Sequence, residues 1–211
     1  MRPLFLLLFS AVSALAQPFS FGVKAGLPLT DFLNAAESQQ FKFSTATNRY
    51  IVGPTAELHL PFGLGVEFDI LYRRFDYNGN GTLASVVTSS SATGNAWEFP
   101  LLAKYRLPMK ILHPYVDAGV SWDTLSGLTQ TITNTVLPNH TTTTTTSNPA
   151  ELKTNTARGF VMGAGLDVKV LRIHLSPEIR YTRWGAQHFI DPNGLLHSNQ
   201  NQGEFLLGIT F

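Results

Sequence analysis

Hydrophobic and polar residues alternate along most of this 211-residue chain. In the stretch "GLGVEFDILYRR", Leu64, Val66 and Phe68 share one face of an extended segment. Glu67 and Asp69 fall between them and point to the other face, because successive side chains of a strand point to opposite sides. The same alternation predicts strands at 19–29, 48–60, 63–77, 93–107, 111–123, 157–170, 172–184 and 202–211. The chain is therefore predicted to be all-β, with eight strands.

The connectors between these strands alternate between short and long. Pro61-Phe62, residues 108–110 and Leu171 are short, whereas residues 30–47, 78–92, 124–156 and 185–201 are long and polar. The third long connector contains "NHTTTTTTSNP", whose composition predicts a mobile segment without a core. Strict alternation brings all long connectors to one end of the sheet. This plan predicts an eight-stranded antiparallel up-and-down transmembrane β-barrel.

Charged residues are confined to one of the two strand faces. In lipid, an Arg or Lys at mid-depth costs about 2–4 kcal/mol, so the uncharged apolar face is predicted to face lipid. An eight-stranded barrel is only wide enough for side chains to fill it. The charged face is therefore predicted to form a packed, nearly balanced ion-pair network that plugs the lumen. Its members are Lys24, Arg49, Glu57, Glu67, Asp69, Arg73, Glu98, Lys104, Arg106, Asp117, Asp167, Lys169, Glu178, Arg180 and Glu204, with Asp123 on the same face.

Two features of the pattern leave alternatives open. A soluble lipocalin-like barrel, with its apolar face turned inward around a ligand, shows the same alternation. Aromatic residues near the strand ends favour the membrane barrel, whose interfaces carry aromatic girdles. Pro54, Pro100, Pro114 and Pro177 fall inside predicted strands, where each removes a hydrogen-bond donor, and they predict β-bulges.

Composition and the first residues indicate export. Hydrophobic residues make up 44% of the chain and charged residues 14%, and the formal net charge of +1 includes no basic cluster of the kind that binds nucleic acid. The opening "MRPLFLLLFSAVSALAQ" predicts a signal peptide, residues 1–16, cleaved after Ala16, followed by the barrel domain, residues 17–211. The absence of Cys excludes disulfides, thiolate chemistry and a lipid-modified cysteine.

A family resemblance supports the same interpretation. The segment "FSFGVKAGLPLTDF", with its Gly-Val-Lys-Ala-Gly run, resembles the first strand of outer-membrane β-barrel domain proteins of the PorT-like type. The eight-strand plan is also similar to the membrane domain of OmpA-like proteins. The resemblance implies an integral outer-membrane barrel of a Gram-negative bacterium without catalytic residues.

The ending "GEFLLGITF" places Phe205, Leu207, Ile209 and Phe211 on one face of the last predicted strand. This strand must pair with residues 19–29 if the barrel is to leave no exposed edge. The apolar alternation that ends on Phe resembles the C-terminal signal read by the outer-membrane assembly machinery. That machinery and outer-membrane lipid are the predicted partners, and the barrel is predicted to be a monomer.

Candidate chemistry along the chain is sparse. His174-Leu175-Ser176 followed by Glu178 resembles the His-x-Ser pair with a Glu of lipid A deacylases, since a His beside a Ser is the minimum for an activated nucleophile. His59, His113 and His174 could converge near the short turns. We expect neither a cofactor nor a metal. The predicted function is a non-enzymatic, plugged barrel whose long external loops serve surface contact or envelope integrity. The alternatives are a lipid-modifying membrane enzyme and a narrow channel for small solutes.

Overall fold

Thirteen strands make up most of the computed structural model, which describes residues 19–38, 41–47, 49–83, 85–109, 112–136, 140–170, 173–191 and 194–211. The predicted signal peptide, residues 1–16, lies outside these residues. The strands are β1 (Phe19–Pro28), β2 (Leu33–Ala35), β3 (Phe41–Thr47), β4 (Ile51–His59), β5 (Leu64–Asp69), β6 (Leu71–Leu83), β7 (Val86–Arg106), β8 (Leu112–Val136), β9 (His140–Thr146), β10 (Thr156–Val170), β11 (Ile173–Trp184), β12 (Leu196–Ser198) and β13 (Asn201–Thr210). A 3₁₀ turn, Pro61–Gly63, joins β4 to β5.

Eight barrel strands form a closed antiparallel ring. In order they are β1, β4, β5 together with β6, β7, β8, β10, β11 and β13, and β13 returns to pair with β1. In the closing pair Val23 lies opposite Ile209, and Ala25 lies opposite Leu207. The predicted eight-stranded up-and-down barrel is confirmed, and each predicted strand corresponds to one barrel strand.

The four prolines do not produce the predicted bulges. Pro100 lies opposite Ser121 and Pro177 opposite Leu207, and the register is unchanged on either side of both. A proline removes one donor but inserts no residue, so the neighbouring hydrogen bonds keep the register. At Pro54 the ladder is interrupted rather than shifted, and Pro54 O accepts a hydrogen bond from the N–H of Ile70 (3.0 Å), the residue that separates β5 from β6.

Two of the four predicted long connectors are largely strand, and more than half of a third, residues 30–47, forms β2 and β3, which corrects the prediction. β6 continues to Leu83 and β7 begins at Val86, within the predicted connector 78–92. β8 continues to Val136, and the threonine tract, predicted to be mobile, forms β9 against it. Threonine favours strands, and here cross-strand threonine hydroxyls lie 3.4 Å apart in three successive pairs. Local strand pairing therefore orders a segment whose composition lacks a core.

The extended strands form a sheet that projects from the long-loop end of the barrel. Its order is β3, β6, β7, β8 and β9. β8 has 25 residues, whereas a tilted transmembrane strand needs only about 9–11. At the same end the connectors after β1 and β11 pair with each other through β2 and β12.

The two faces of the barrel differ in polarity. Phe160, Met162 and Ile179 are exposed on the outside by 48, 47 and 61% of their surface. Glu67 and Arg180 lie inside and are at most 2% exposed. This is the opposite of the lipocalin-like alternative, in which the apolar face would point inward. Among the described residues, no helix has both the length and the apolar character to cross a membrane.

Candidate functional site: the filled lumen

The barrel interior brings together thirteen of the fifteen residues predicted to form the lumen network. Arg49 and Lys169 are the exceptions. Arg49 precedes β4, Lys169 lies near the end of β10, and both are exposed and make no ion pair with another described residue. The interior charges are Glu57, Glu67, Asp69, Glu98, Asp117, Asp123, Asp167, Glu178 and Glu204 against Lys24, Arg73, Lys104, Arg106 and Arg180. The predicted near-balance is therefore wrong, since nine carboxylates face five cations.

The centre of the lumen holds two cations between three carboxylates. Arg180 donates to Glu178 at 2.7 Å and lies 2.9 Å from Asp69 and 3.2 Å from Glu67. Lys24 contacts the same three carboxylates, at 2.9 Å to Glu178 and 3.3 Å to Asp69, and also donates to Glu67. All five side chains are at most 3% exposed. We call these five residues the central cluster.

A second group of ion pairs lies toward the short-turn end. Lys104 bonds to Glu57 and Glu67, and so links this group to the central cluster. Arg106 bonds to Glu57 and, at 3.0 Å, to Asp167. Because carboxylates are shared between successive cations, these two groups form one continuous network rather than separate pairs.

Carboxylates outnumber cations most clearly in two places. Toward the long-loop end, Arg73 lies 3.3 Å from Glu204 and 3.5 Å from Asp123. Nearby, Glu98 accepts a hydrogen bond from Ser121 at 3.1 Å. Near the start of β8, Asp117 is 4% exposed, and its oxygens accept no hydrogen bond from a described residue.

An apolar cap closes the long-loop end above the charges. It consists of Phe32, Leu33, Phe75, Tyr77, Ala92, Ala96, Leu125, Leu128, Phe189 and Leu196. Phe189 packs against Phe75 and Tyr77, with ring centroids 5.7 and 5.6 Å apart. This cap was not predicted, because Phe32, Phe189 and Leu196 belong to connectors taken as polar. The apolar residues inside "TDFLN" and "HFIDPNGLLH" were the signal that could have identified it.

Arg73 joins the apolar cap to the ion-pair network. Its guanidinium carbon lies 4.7 Å from the centre of the Phe32 ring, while its nitrogens face Asp123 and Glu204. His188 also spans the boundary, with Nε2 3.3 Å from Asp123 and its ring 6.1 Å from that of Phe32. The interior is therefore filled by two layers in direct contact, one charged and one apolar.

The candidate catalytic residues do not form a nucleophile–base pair. His174 Nδ1 lies 2.8 Å from Asp167, and among the described residues no hydrogen bond joins His174 to Ser176. Ser176 is 8% exposed, and Glu178 is engaged by Lys24 and Arg180. Activation of a serine requires a base within hydrogen-bond reach. The three side chains instead contribute to the packing of the lumen.

The predicted histidine group is only partly assembled. His59 and His174 line one cavity at the short-turn end, together with Arg106 and Asp167. Within the described ranges, no three His, Cys, Asp or Glu side chains are arranged to hold a metal ion.

The residues of the predicted assembly signal lie on the outside of the barrel. Phe205 and Leu207 are each 40% exposed, Phe211 is 69% exposed, and Ile209 is half-buried. The N–H of Phe211 donates to the carbonyl of Phe21 at 3.0 Å. The last residues thus complete the seam between β13 and β1.

Comparisons with known proteins agree with this architecture. Residues 3–210 match the family model described as "Outer membrane protein beta-barrel domain". The chain is similar in structure to OprG of Pseudomonas aeruginosa (14% identity, 91% of this chain and 92% of that one, TM-score 0.50). It is also similar to Neisserial surface protein A (14% identity, 92% of this chain and 96% of that one, TM-score 0.42). A third similar structure is Ail of Yersinia pestis (8% identity, 92% of this chain and 98% of that one, TM-score 0.40). No curated protein matches the chain. At these identities the similarity shows the fold alone, and the comparison with OprG is the one that supports the fold.

Proposed function

This chain belongs to the outer membrane protein β-barrel domain family and lies in the outer membrane, and we propose that it is a non-enzymatic, non-conducting barrel whose long-loop end contacts molecules outside the cell. The observation that carries the proposal is the double filling of the lumen. Membership of the narrower PorT-like type is not part of this statement, because it rests only on the resemblance of the first strand.

The filling supports the absence of a pore. A solute that crosses the barrel has to pass the central cluster, whose side chains are at most 3% exposed, and then the apolar cap. Opening the first layer separates buried charges that hold each other in place, and opening the second exposes packed aromatic rings to water. Both steps are costly, so the closed form dominates.

Conductance in a planar lipid bilayer tests this part of the proposal. We expect no steady current from the refolded barrel. Correct insertion is verified in the same preparation by the heat-dependent shift of gel mobility that folded barrels show. A reproducible unitary conductance from correctly folded protein would contradict the plug.

The projecting sheet supports contact at the long-loop end. Outer-membrane barrels place short turns on the periplasmic side and long loops outside. Thr141, Thr143 and Thr145 of β9 are exposed on this sheet, and they form cross-strand pairs with threonines of β8. Loops and extensions carried by a rigid scaffold are common places for binding.

The chain has no Cys, so its sidedness can be tested with single cysteines. Thr143→Cys lies on the projecting sheet, and Phe62→Cys, at a position 91% exposed, lies in a short turn. In intact cells, we expect a maleimide carried by a large polyethylene glycol to label only Thr143→Cys. Phe62→Cys should react after the outer membrane is permeabilised. The reverse pattern would place the long loops in the periplasm.

The enzyme alternative makes a separate prediction. If His174 and Ser176 modified lipid, His174→Ala and Ser176→Ala would each abolish a change in the outer-membrane lipid profile. We expect identical profiles for cells that carry the wild type, either variant or no copy of the chain. The engagement of His174 with Asp167 and of Glu178 with Arg180 supports this expectation.

The proposed partners follow from the outer surface. Apolar side chains cover the outside of the barrel strands, and so we propose outer-membrane lipid as their environment. The assembly machinery is proposed to recognise Phe205, Leu207, Ile209 and Phe211 during insertion. A monomer is proposed because pairing of β1 with β13 leaves no open barrel edge for a second copy.

A further inference from the structure

An open cavity of about 300 Å³ lies on the outside of the barrel, beside the first residues of β10. Its shape follows the register of three neighbouring strands. Trp122 of β8 lies opposite Phe99 of β7 on one side and opposite Arg158 of β10 on the other. One step farther toward the long loops, Thr124 lies opposite Thr156. The cavity therefore brings two aromatic rings, one guanidinium and two hydroxyls together on one face.

This face is the outward one, for which lipid is the proposed environment. Closer to the short-turn end the same face continues with Leu101, Val120 and Phe160, which are all exposed apolar side chains. Trp122 is 40% exposed. Aromatic residues of membrane barrels lie at the level where the hydrocarbon core meets the lipid headgroups. The cavity thus spans this level, with its rings toward the hydrocarbon and Arg158 among the headgroups.

Arg158 has no acidic partner on this face. It is exposed, and its side chain makes no hydrogen bond or ion pair with another described residue. In the described parts of β7, β8, β10 and β11, no outward position carries Asp or Glu. Asp123 also borders the cavity, but its side chain is 1% exposed and faces Arg73 in the lumen. A cation beside hydrocarbon is less well hydrated than in bulk water, so an anion from outside the chain is favoured next to it.

We propose that this cavity binds the phosphate headgroup of an anionic lipid in the surrounding leaflet. Arginine presents its donors as a planar fork that matches phosphate oxygens. The hydroxyls of Thr124 and Thr156 are further donors, and the lipid chain below the headgroup contacts Phe99 and Trp122. A zwitterionic headgroup fits less well, because it brings a second cation close to Arg158. The inference rests on the proposed lipid environment of the outer wall, and it adds a lipid class and a site.

The test is an NMR titration of the whole barrel in nanodiscs of phosphatidylcholine, to which phosphatidic acid is added in increasing proportion. The diacylglycerol with the same chains lacks the phosphate, and inorganic phosphate lacks the chains. The indole N–H of Trp122 reports on the cavity, and the amides of Val23 and Val52 report on β1 and β4, across the barrel from β8 and β10. We expect saturable shifts at Trp122 alone with phosphatidic acid, and much smaller shifts with the other two probes.

Arg158→Gln should weaken the binding of phosphatidic acid by about tenfold or more, as expected for a lost charge-assisted hydrogen bond. Arg49→Gln is the matched control, because Arg49 is also exposed, precedes β4 at the long-loop end and does not border this cavity. It removes the same charge and should leave the affinity unchanged. The heat shift in gel mobility verifies that each variant is folded.

Four results would overturn the proposal. They are equal shifts with the diacylglycerol, equally tight binding of inorganic phosphate, unchanged affinity in folded Arg158→Gln, and equal weakening by Arg49→Gln. The lipid environment itself is tested separately, because a barrel that inserts into the nanodiscs and shows its heat shift is in lipid whether or not the cavity binds phosphate. The conductance and labelling experiments do not depend on this cavity.

Discussion

Replacing Arg180 by Met tests whether the central cluster holds the barrel together. The guanidinium of Arg180 is fully buried and lies 2.7 to 3.2 Å from Glu178, Asp69 and Glu67. In the variant, Lys24 remains as the only cation of the central cluster, and Lys104 still bonds to Glu67 from the neighbouring group. Removal of one partner from a buried ion pair costs about 3–5 kcal/mol, because the charges left behind lack both water and a counter-charge. We therefore expect Arg180→Met to lower the free energy of unfolding by about 3–5 kcal/mol.

The assay is reversible unfolding in urea from lipid vesicles, followed by tryptophan fluorescence. Arg183→Met is the matched control, because Arg183 lies on the same strand but is exposed, bonding to Asn201 at 2.7 Å. This control should change the free energy by no more than about 0.5 kcal/mol. Adding Glu178→Gln to Arg180→Met removes one surplus negative charge and should recover part of the loss. If Arg180→Met matched its control, the cluster would have to be solvated, and the argument for a plugged lumen would fail.

Three further predictions concern other parts of the chain. The hydrogen bond and charge of Lys42 (Nζ–Oε2 2.6 Å) hold the pKa of Glu37 below its ordinary value. The pair therefore stabilises its segment at pH values above that ordinary pKa, and the stabilisation is lost as the pH falls through the lowered pKa of Glu37. In the variant Lys42→Ala, an NMR titration should show the pKa of Glu37 returning toward its ordinary value. Gly22→Ala places a Cβ 1.9 Å from the Ile209 carbonyl oxygen and should reduce the heat-shifting fraction on gels, whereas Gly203→Ala, whose nearest contact is 3.7 Å, should not. Backbone amides of His140–Thr146 that bond to β8 should exchange slowly with deuterium; exchange at the rate of an unstructured peptide would show that β9 does not form.

The alternation of apolar and polar residues predicted the barrel because every strand in lipid has to keep charged side chains off its outer face. Val66, Phe68 and Ile179 face outward, and any charge there would be expelled toward water or the lumen. Alternation does not encode position along the barrel axis. Arg49 and Lys169 have the parity of lumen residues, yet each lies at a strand end where water is accessible. The predicted charge balance failed for this reason.

The projecting sheet could not be predicted by the same rule. Beyond the membrane, both faces of a strand can be polar, as at Ser89 opposite Thr133, so the contrast between faces that marks a strand is lost. The apolar cap escaped prediction for a different reason. Phe32 and Phe189 come from connectors far apart in sequence, and only their long-range packing shows that both point into the barrel mouth.

The two fillings of the lumen protect each other. Arg73 has two carboxylate neighbours on one side and the Phe32 ring on the other, so the cap lies directly over the charges that most need shielding from water. Loss of cap packing would admit water to Asp123 and Glu204 but would leave the central cluster closed below them. Loss of a charge in the central cluster would loosen that layer but leave the aromatic packing above it. A conducting path requires both layers to open, and substitutions at single lumen positions should therefore affect stability before they affect permeability.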